Sequence, residues 1–151
     1  MTCVLTGAAG FVGSHLADRL LESGCRVMGV DNLRLGRTAN LEVARRHADF
    51  TFLESDVNDY AGNLAQWRAW QAERPIDMVW HLAANSDIRA GGADPSVDLT
   101  HTFLTTFHVL KLMRELGIPR LAFASTSAIY GAREGAVRED DGPWQPISNY
   151  G

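Results

Sequence analysis

The sequence predicts an α/β fold built as a doubly wound parallel sheet, and two observations carry that reading. Short apolar runs alternate from end to end with stretches patterned for amphipathic helices, the arrangement that produces βαβ units. Three glycines, Gly7, Gly10 and Gly13, sit where the first apolar run passes into the first helical pattern. With 151 residues and 46% hydrophobic content, the chain is long enough to bury one core. One domain is expected.

The elements follow in order. TCVLT is the first strand, and FVGSHLADRLLESG the first helix. Val12, Leu16 and Leu20 form its predicted inner stripe, with Ala17 and Leu21 beside them, and Gly24 closes it. CRVMGVD is the second strand, followed by a polar loop with a short helical stretch. The third strand is placed at 50–54, a helix at 58–73 and the fourth strand at 76–82, with Pro75 marking its entry. Asp94 can cap the next helix and Pro95 suits its first position. That helix is expected to run to Leu116, ended by Gly117 and Pro119, and to lead into a fifth strand at 120–124. At about 100° per residue, Leu99, Phe103, Phe107 and Leu110 share one side of it, while Val109, Leu112 and Leu116 lie roughly opposite. The second side is expected to be the one left open for a further partner. Residues 131–149 carry glycines, prolines and a charged run without periodicity, and read as a loop. In a five-stranded sheet of this kind the ligand crevice lies between strands one and four.

Composition excludes several classes. A formal charge of −4 and a pI near 5.7 provide no basic field for nucleic acid or an anionic membrane surface. No secretory leader or membrane-spanning run is visible, so a soluble cytoplasmic protein is expected. Cys3 and Cys25 fall in strand-like runs and read as buried free thiols. No histidine pair has metal-ligand spacing, so no metal is assigned. Trp67, Trp70 and Trp80 read as packing residues.

The glycine trio has a chemical reading in context. Gly7 permits a tight turn, Gly10 lets the backbone approach a pyrophosphate, and Gly13 lets the helix lie close to the strand. The helix start, with Phe11 and Val12, offers N–H groups to phosphate oxygens. Asp31 closes the second strand about 18 residues past the last glycine, near the ~20 at which an acid meets the ribose. A carboxylate there repels a 2′-phosphate, so NAD is expected over NADP. Arg34 and Arg37 are the residues that could reverse this preference.

The GxxGxxG spacing, with Asp31-Asn32-Leu33, Asp56-Val57 and the segment His81-Leu82-Ala83-Ala84, resembles the extended short-chain dehydrogenase/reductase family, in its NAD-dependent epimerase/dehydratase branch. The resemblance covers nearly the whole chain. It implies a Rossmann-like sheet, places Asn32 with Asp31, puts Asp56 and Val57 at the adenine, and makes Leu82, Ala83 and Ala84 a wall of the cofactor groove. His81 itself is read as a strand-end histidine with a satisfied ring and is given no chemistry.

The segment FASTSAIYG leaves the fifth strand. The family places a catalytic Ser or Thr four residues before the Tyr-Gly pair, which is Thr126. Its catalytic tyrosine opens a Tyr-x-x-x-Lys motif within Pro-x-Ser-x-Tyr-Gly, matched by Pro146, Ser148, Tyr150 and Gly151, so Tyr150 takes that role. The lysine would lie beyond Gly151. Residues 1–151 are therefore read as the NAD-binding domain and N-terminal part of a longer enzyme, truncated after strand five with the substrate subdomain absent. Family dehydratases carry an acid directly after the catalytic Thr, whereas Ser127 and Ala128 stand here. NSDIR, TSAIYG and PISNYG resemble UDP-glucose 4-epimerase-like sequences, which implies a nucleotide-sugar 4-epimerase, a UDP-hexose substrate and a homodimer, with the truncated chain inactive. Thr102 occupies a position where the family usually has Asn. A dehydrogenase or reductase on another substrate, or a dinucleotide-sensing module, are the alternatives.

Overall fold

The computed structural model describes all 151 residues. Five parallel strands, β1 (Thr2–Thr6), β2 (Arg26–Asp31), β3 (Phe50–Glu54), β4 (Met78–His81) and β5 (Leu121–Phe123), lie in the order β3-β2-β1-β4-β5. The chain winds one way from β1 to β3 and the other way from β4 to β5. The crevice at the reversal therefore opens between β1 and β4, as expected.

Alternation along the strands feeds two apolar layers. Cys3, Leu5 and Val27 pack against α1 (Phe11–Glu22) together with Ala17, Leu20 and Leu21. Val4, Met28, Val30 and Val79 turn to the other side, toward α2 (Tyr60–Gln71) and α5 (Leu104–Leu116), where Trp67, Trp70, Val109 and Leu112 complete the core. Each fully buried aliphatic side chain here contributes about 1.5–3 kcal/mol. The two tryptophans thus pack, as read from the sequence. Cys3 and Cys25 are free and buried. Burial, reinforced by Cys25, pushes the Cys3 thiol up to about 12, which keeps it from acting as a nucleophile.

Three expectations are corrected. The buried stripe of α1 is Gly13, Ser14, Ala17, Leu20 and Leu21, while Val12 is 62% exposed. Close approach of the helix start to β1 requires Gly13 to face inward, and that turns Val12 outward. The helix expected at 95–116 is interrupted: α4 (Pro95–Asp98) passes into a π-helical turn, Leu99–Phe103, before α5, and a short α3 (Ile88–Ala93) precedes them. Side chains compete for the carbonyls there, with Asn58 donating to Thr100 O and Thr106 to Thr102 O. The faces of α5 are also reversed. Val109 and Leu112 are fully buried against the sheet, whereas Leu99, Phe103, Phe107 and Leu110 are exposed, so the open apolar strip is the aromatic one.

Other signals hold. Asp94 caps α4 by accepting from Ser96 N at 2.9 Å, with Pro95 next to it, and those hydrogen bonds from Ser96 hold its carboxyl below the usual range. Gly117 ends α5 with φ 68°, a left-handed conformation suited to glycine. No helix is long and apolar enough to cross a membrane.

Candidate functional site

The crevice between β1 and β4 is a cleft of about 300 Å³. Its lining brings together Gly7, Gly10, Phe11, Val12, Gly13, Asp31, Asn32, Asp56, Val57, Leu82, Ala83 and Ala84, all twelve residues singled out from the sequence for cofactor contact. The turn after β1 is as tight as the glycines suggest. Gly7 has φ 73°, and a Cβ on Gly13 would stand 2.0 Å from the Gly7 carbonyl oxygen. No main-chain or side-chain acceptor receives the N–H groups of Phe11, Val12 and Gly13, and Ser14 N is the first to bond back, to Gly10 O at 3.0 Å. The start of α1 therefore presents unpaired N–H groups and the positive end of its dipole to the cleft.

Asp31 lies at the end of β2, only 8% exposed. Its Oδ2 accepts from Ala9 N at 2.9 Å and its Oδ1 from Leu33 N at 2.8 Å. Two amides thus fix the carboxylate while each oxygen keeps a free lone pair. Asn32 donates to Asp56 Oδ2 at 2.9 Å, joining the loops after β2 and β3. This set fits a dinucleotide: unpaired donors for phosphates, an anchored acid for a ribose, and an apolar wall.

A second cavity of about 220 Å³ adjoins the cleft through Leu82, Ala83 and Ala84. Thr126 and Tyr150 both line it, with Thr102, Ser125 and His81. Thr126 caps the 3-10 turn Ser127–Tyr130, accepting from Ala128 N at 3.1 Å, which leaves its hydroxyl proton available to another acceptor. Tyr150 reaches the cavity because residues 145–151 fold back. Gly131 packs so closely on Gln145 that a Cβ would lie 2.0 Å from its oxygen, and Asn149 donates to Gly91 O at 3.0 Å.

His81 is 1% exposed, and burial lowers its ring to about 4. Both nitrogens have partners, Nδ1 with Thr6 Oγ1 at 2.6 Å and Nε2 with Thr106 Oγ1 at 3.1 Å. This is the satisfied strand-end ring that the sequence suggested. Thr102 accepts from Asn85 N at 3.1 Å.

Sequence reading missed Ser55, Ser86, His101, Thr105, Leu35 and Gly36 in the cleft wall. Gly36 alone carried a signal, a glycine shortly after Asp31. Its Cβ would stand 2.8 Å from Asp31 Oδ1.

Comparison with known proteins identifies the family. Residues 3–151 match the NAD dependent epimerase/dehydratase family. UDP-glucose 4-epimerase of Mycolicibacterium smegmatis is 33% identical over 153 residues, covering 99% of this chain and 47% of its own length. UDP-glucuronic acid decarboxylase 1 of Danio rerio is 33% identical over 138 residues, covering 91% of this chain and 30% of its own length. The solved structure of Thermus thermophilus UDP-glucose 4-epimerase in complex with NAD superposes with a TM-score of 0.84 at 35% identity, covering 99% of this chain and 46% of that one. The chain spans about half the length of these 4-epimerases or less. It belongs to the NAD dependent epimerase/dehydratase family, as an extended short-chain dehydrogenase/reductase with a Rossmann-like sheet that resembles UDP-glucose 4-epimerase.

Proposed function

We propose that these 151 residues are the NAD-binding, N-terminal part of a nucleotide-sugar 4-epimerase acting on a UDP-hexose. The observation that carries this reading is the junction of the two cavities at Leu82–Ala84: a cleft suited to a dinucleotide opens beside a cavity lined by a threonine and a tyrosine. The amides of Phe11, Val12 and Gly13 hold the pyrophosphate, and Asp31 accepts from the adenosine ribose, with Asn32 beside it. Asp56 and Val57 flank the adenine, and Leu82, Ala83 and Ala84 bound the groove.

Bound NAD supplies the hydride acceptor. The chain's own part is proton handling: Tyr150 takes the proton of a sugar hydroxyl, and Thr126 orients that hydroxyl by hydrogen bonding. A tyrosine at its ordinary value near 10 is a weak base at pH 7, so the tyrosinate needs cationic support from a group such as the lysine of the Tyr-x-x-x-Lys motif. Ser127 and Ala128 have no acid with which to expel water, so epimerisation is favoured over dehydration. The relationship to a decarboxylase supports a second reading, in which the substrate is UDP-glucuronate, whose 4-keto form releases CO2 and takes up a proton at the carbon left behind. We further propose that the exposed strip Leu99, Phe103, Phe107 and Leu110 of α5 and the π-helical turn is a homodimer surface, since contiguous exposed apolar area favours association.

Titration with NAD and NADP tests the cofactor. NADP is expected to bind at least ~10-fold more weakly, a difference of about 1.4 kcal/mol, and equal affinities would sink the role of Asp31. These residues alone are expected to bind NAD without turnover. A protein extended to the relatives' length is expected to interconvert UDP-glucose and UDP-galactose, and failure to do so while decarboxylating UDP-glucuronate would select the second reading.

A further inference from the structure

The buried ring of His81 has a tautomer that the surrounding bonds dictate. Thr106 Oγ1 lies 2.9 Å from Thr102 O, to which it donates, so its oxygen must accept from His81 Nε2–H. Ala83 N donates to Thr6 Oγ1 at 3.3 Å, and the Thr6 hydroxyl then spends its proton on His81 Nδ1 at 2.6 Å. The opposite tautomer would turn Nδ1–H onto the Thr6 oxygen, leave the Thr6 proton without an acceptor, and take the Thr106 proton away from Thr102. Thr6 is fully buried, so such an orphaned donor carries a full desolvation cost. Only the neutral, Nε2-protonated ring satisfies every group. The bonds then run in two arms from the ring, one ending at the Ala83 amide and the other at the Thr102 carbonyl.

These end points matter because Ala83 belongs to both cavities and Thr102 to the one that holds Thr126 and Tyr150. We propose that His81 is a positioning residue: through Thr6 and Thr106 it couples the wall of the dinucleotide cleft at Ala83 to the π-helical turn at Thr102, and so holds the two cavities in register. The proposal rests on the dinucleotide reading only for its consequence, not for its geometry. Its neighbours allow it. The ring stacks on Phe123 at 5.8 Å, and Tyr150 is the titratable side chain that shares the cavity with it. His101 lines the other cleft, and His108 pairs with Asn58.

The coupling is tested on the wild-type chain and two variants. Nitrogen-15 NMR of wild type is expected to show His81 protonated at Nε2 and bare at Nδ1, with no change from pH 8 down to about 5. Thr106 makes its side-chain hydrogen bonds to His81 and Thr102, not to Ala83 or Thr6, yet Thr106→Val is expected to speed hydrogen exchange of the Ala83 amide about tenfold and to weaken NAD binding ~fivefold. Thr106→Ser restores both, which a merely steric role of the side chain does not require. A ring protonated at Nδ1, a ring titrating near 6.5, or an Ala83 amide indifferent to Thr106→Val overturns the proposal. If wild type shows the tautomer and Thr106→Val the exchange response, but wild type binds no NAD, the coupling stands and the cofactor reading falls.

Discussion

The cleft over β1 and β2 and the cavity beside β5 share Leu82, Ala83 and Ala84, yet they are held in place differently. Over β1 and β2 the cleft is bounded by a glycine turn, unpaired helix amides, and an aspartate pinned by two N–H groups. The cavity gathers hydroxyls from three separate segments, and its tyrosine arrives on a loop tethered by Asn149. On the proposed function, binding would draw chiefly on backbone of the first βαβ unit, whereas proton transfer would draw on side chains that distant segments must bring together. Damage to the first should remove affinity and stability together, and damage to the second should remove rate alone.

Tyr150→Phe should divide them most sharply. In a protein of the relatives' length it is expected to lower turnover by at least ~10³-fold, within the range of general acid-base catalysis, while the NAD dissociation constant stays within about twofold. Thr126→Ala should fall in the same direction by less. Steady-state kinetics beside calorimetric NAD titration reads both, and a large loss of NAD affinity in Tyr150→Phe would erase the division. Gly13→Ala is the converse. Its new Cβ meets main chain, which cannot swing aside, so a loss of about 3 kcal/mol or more is expected, at the upper end for overpacking, with NAD affinity falling in parallel. Denaturant titration measures the first and calorimetry the second.

The shared wall gives the next test. The unfolded chain takes up a proton on His81 near pH 6.5, but the folded ring accepts one only near 4. Stability is therefore fully present above pH 6.5 and declines as pH falls toward 4, by a total on the order of 3 kcal/mol. Urea midpoints across that interval should show the slope in wild type and a shallower one in His81→Gln. The smallest effect concerns selectivity: Asp31→Asn should bring NAD and NADP to within about threefold of each other, removing most of a ~1.4 kcal/mol discrimination. Parallel titrations with the two nucleotides would show it.

Strand and motif positions were legible because they depend on local pattern. Phe50–Glu54 is the strand the sequence predicts, and the glycine trio, Asp31 and Asp56 meet in one cleft because βαβ winding brings strand ends together. The side of α5 that meets the sheet was not legible. Periodicity fixes the angle between Phe107 and Val109 but not which of them faces inward, and both are apolar. Within the π-helical turn, Thr100 O accepts from Asn58, more than forty positions away, and no local window contains that contact. The same holds for Ser55, Ser86 and His101, polar residues that enter the cleft wall through topology alone. α3 is a single short stretch whose only marker is its cap, Asp87, accepting from Arg89 N and Ala90 N.

The order of the lining residues along the chain has a consequence for biosynthesis. Every wall of the dinucleotide cleft lies between Gly7 and Thr105, whereas the adjoining cavity needs Tyr150. At about 5–20 residues per second of translation, the cleft's residues exist roughly two to nine seconds before the tyrosine is made. A dinucleotide captured in that interval would favour the nascent sheet by mass action, so the cofactor would act first as a folding ligand, and only after Asn149 finds Gly91 as a reagent.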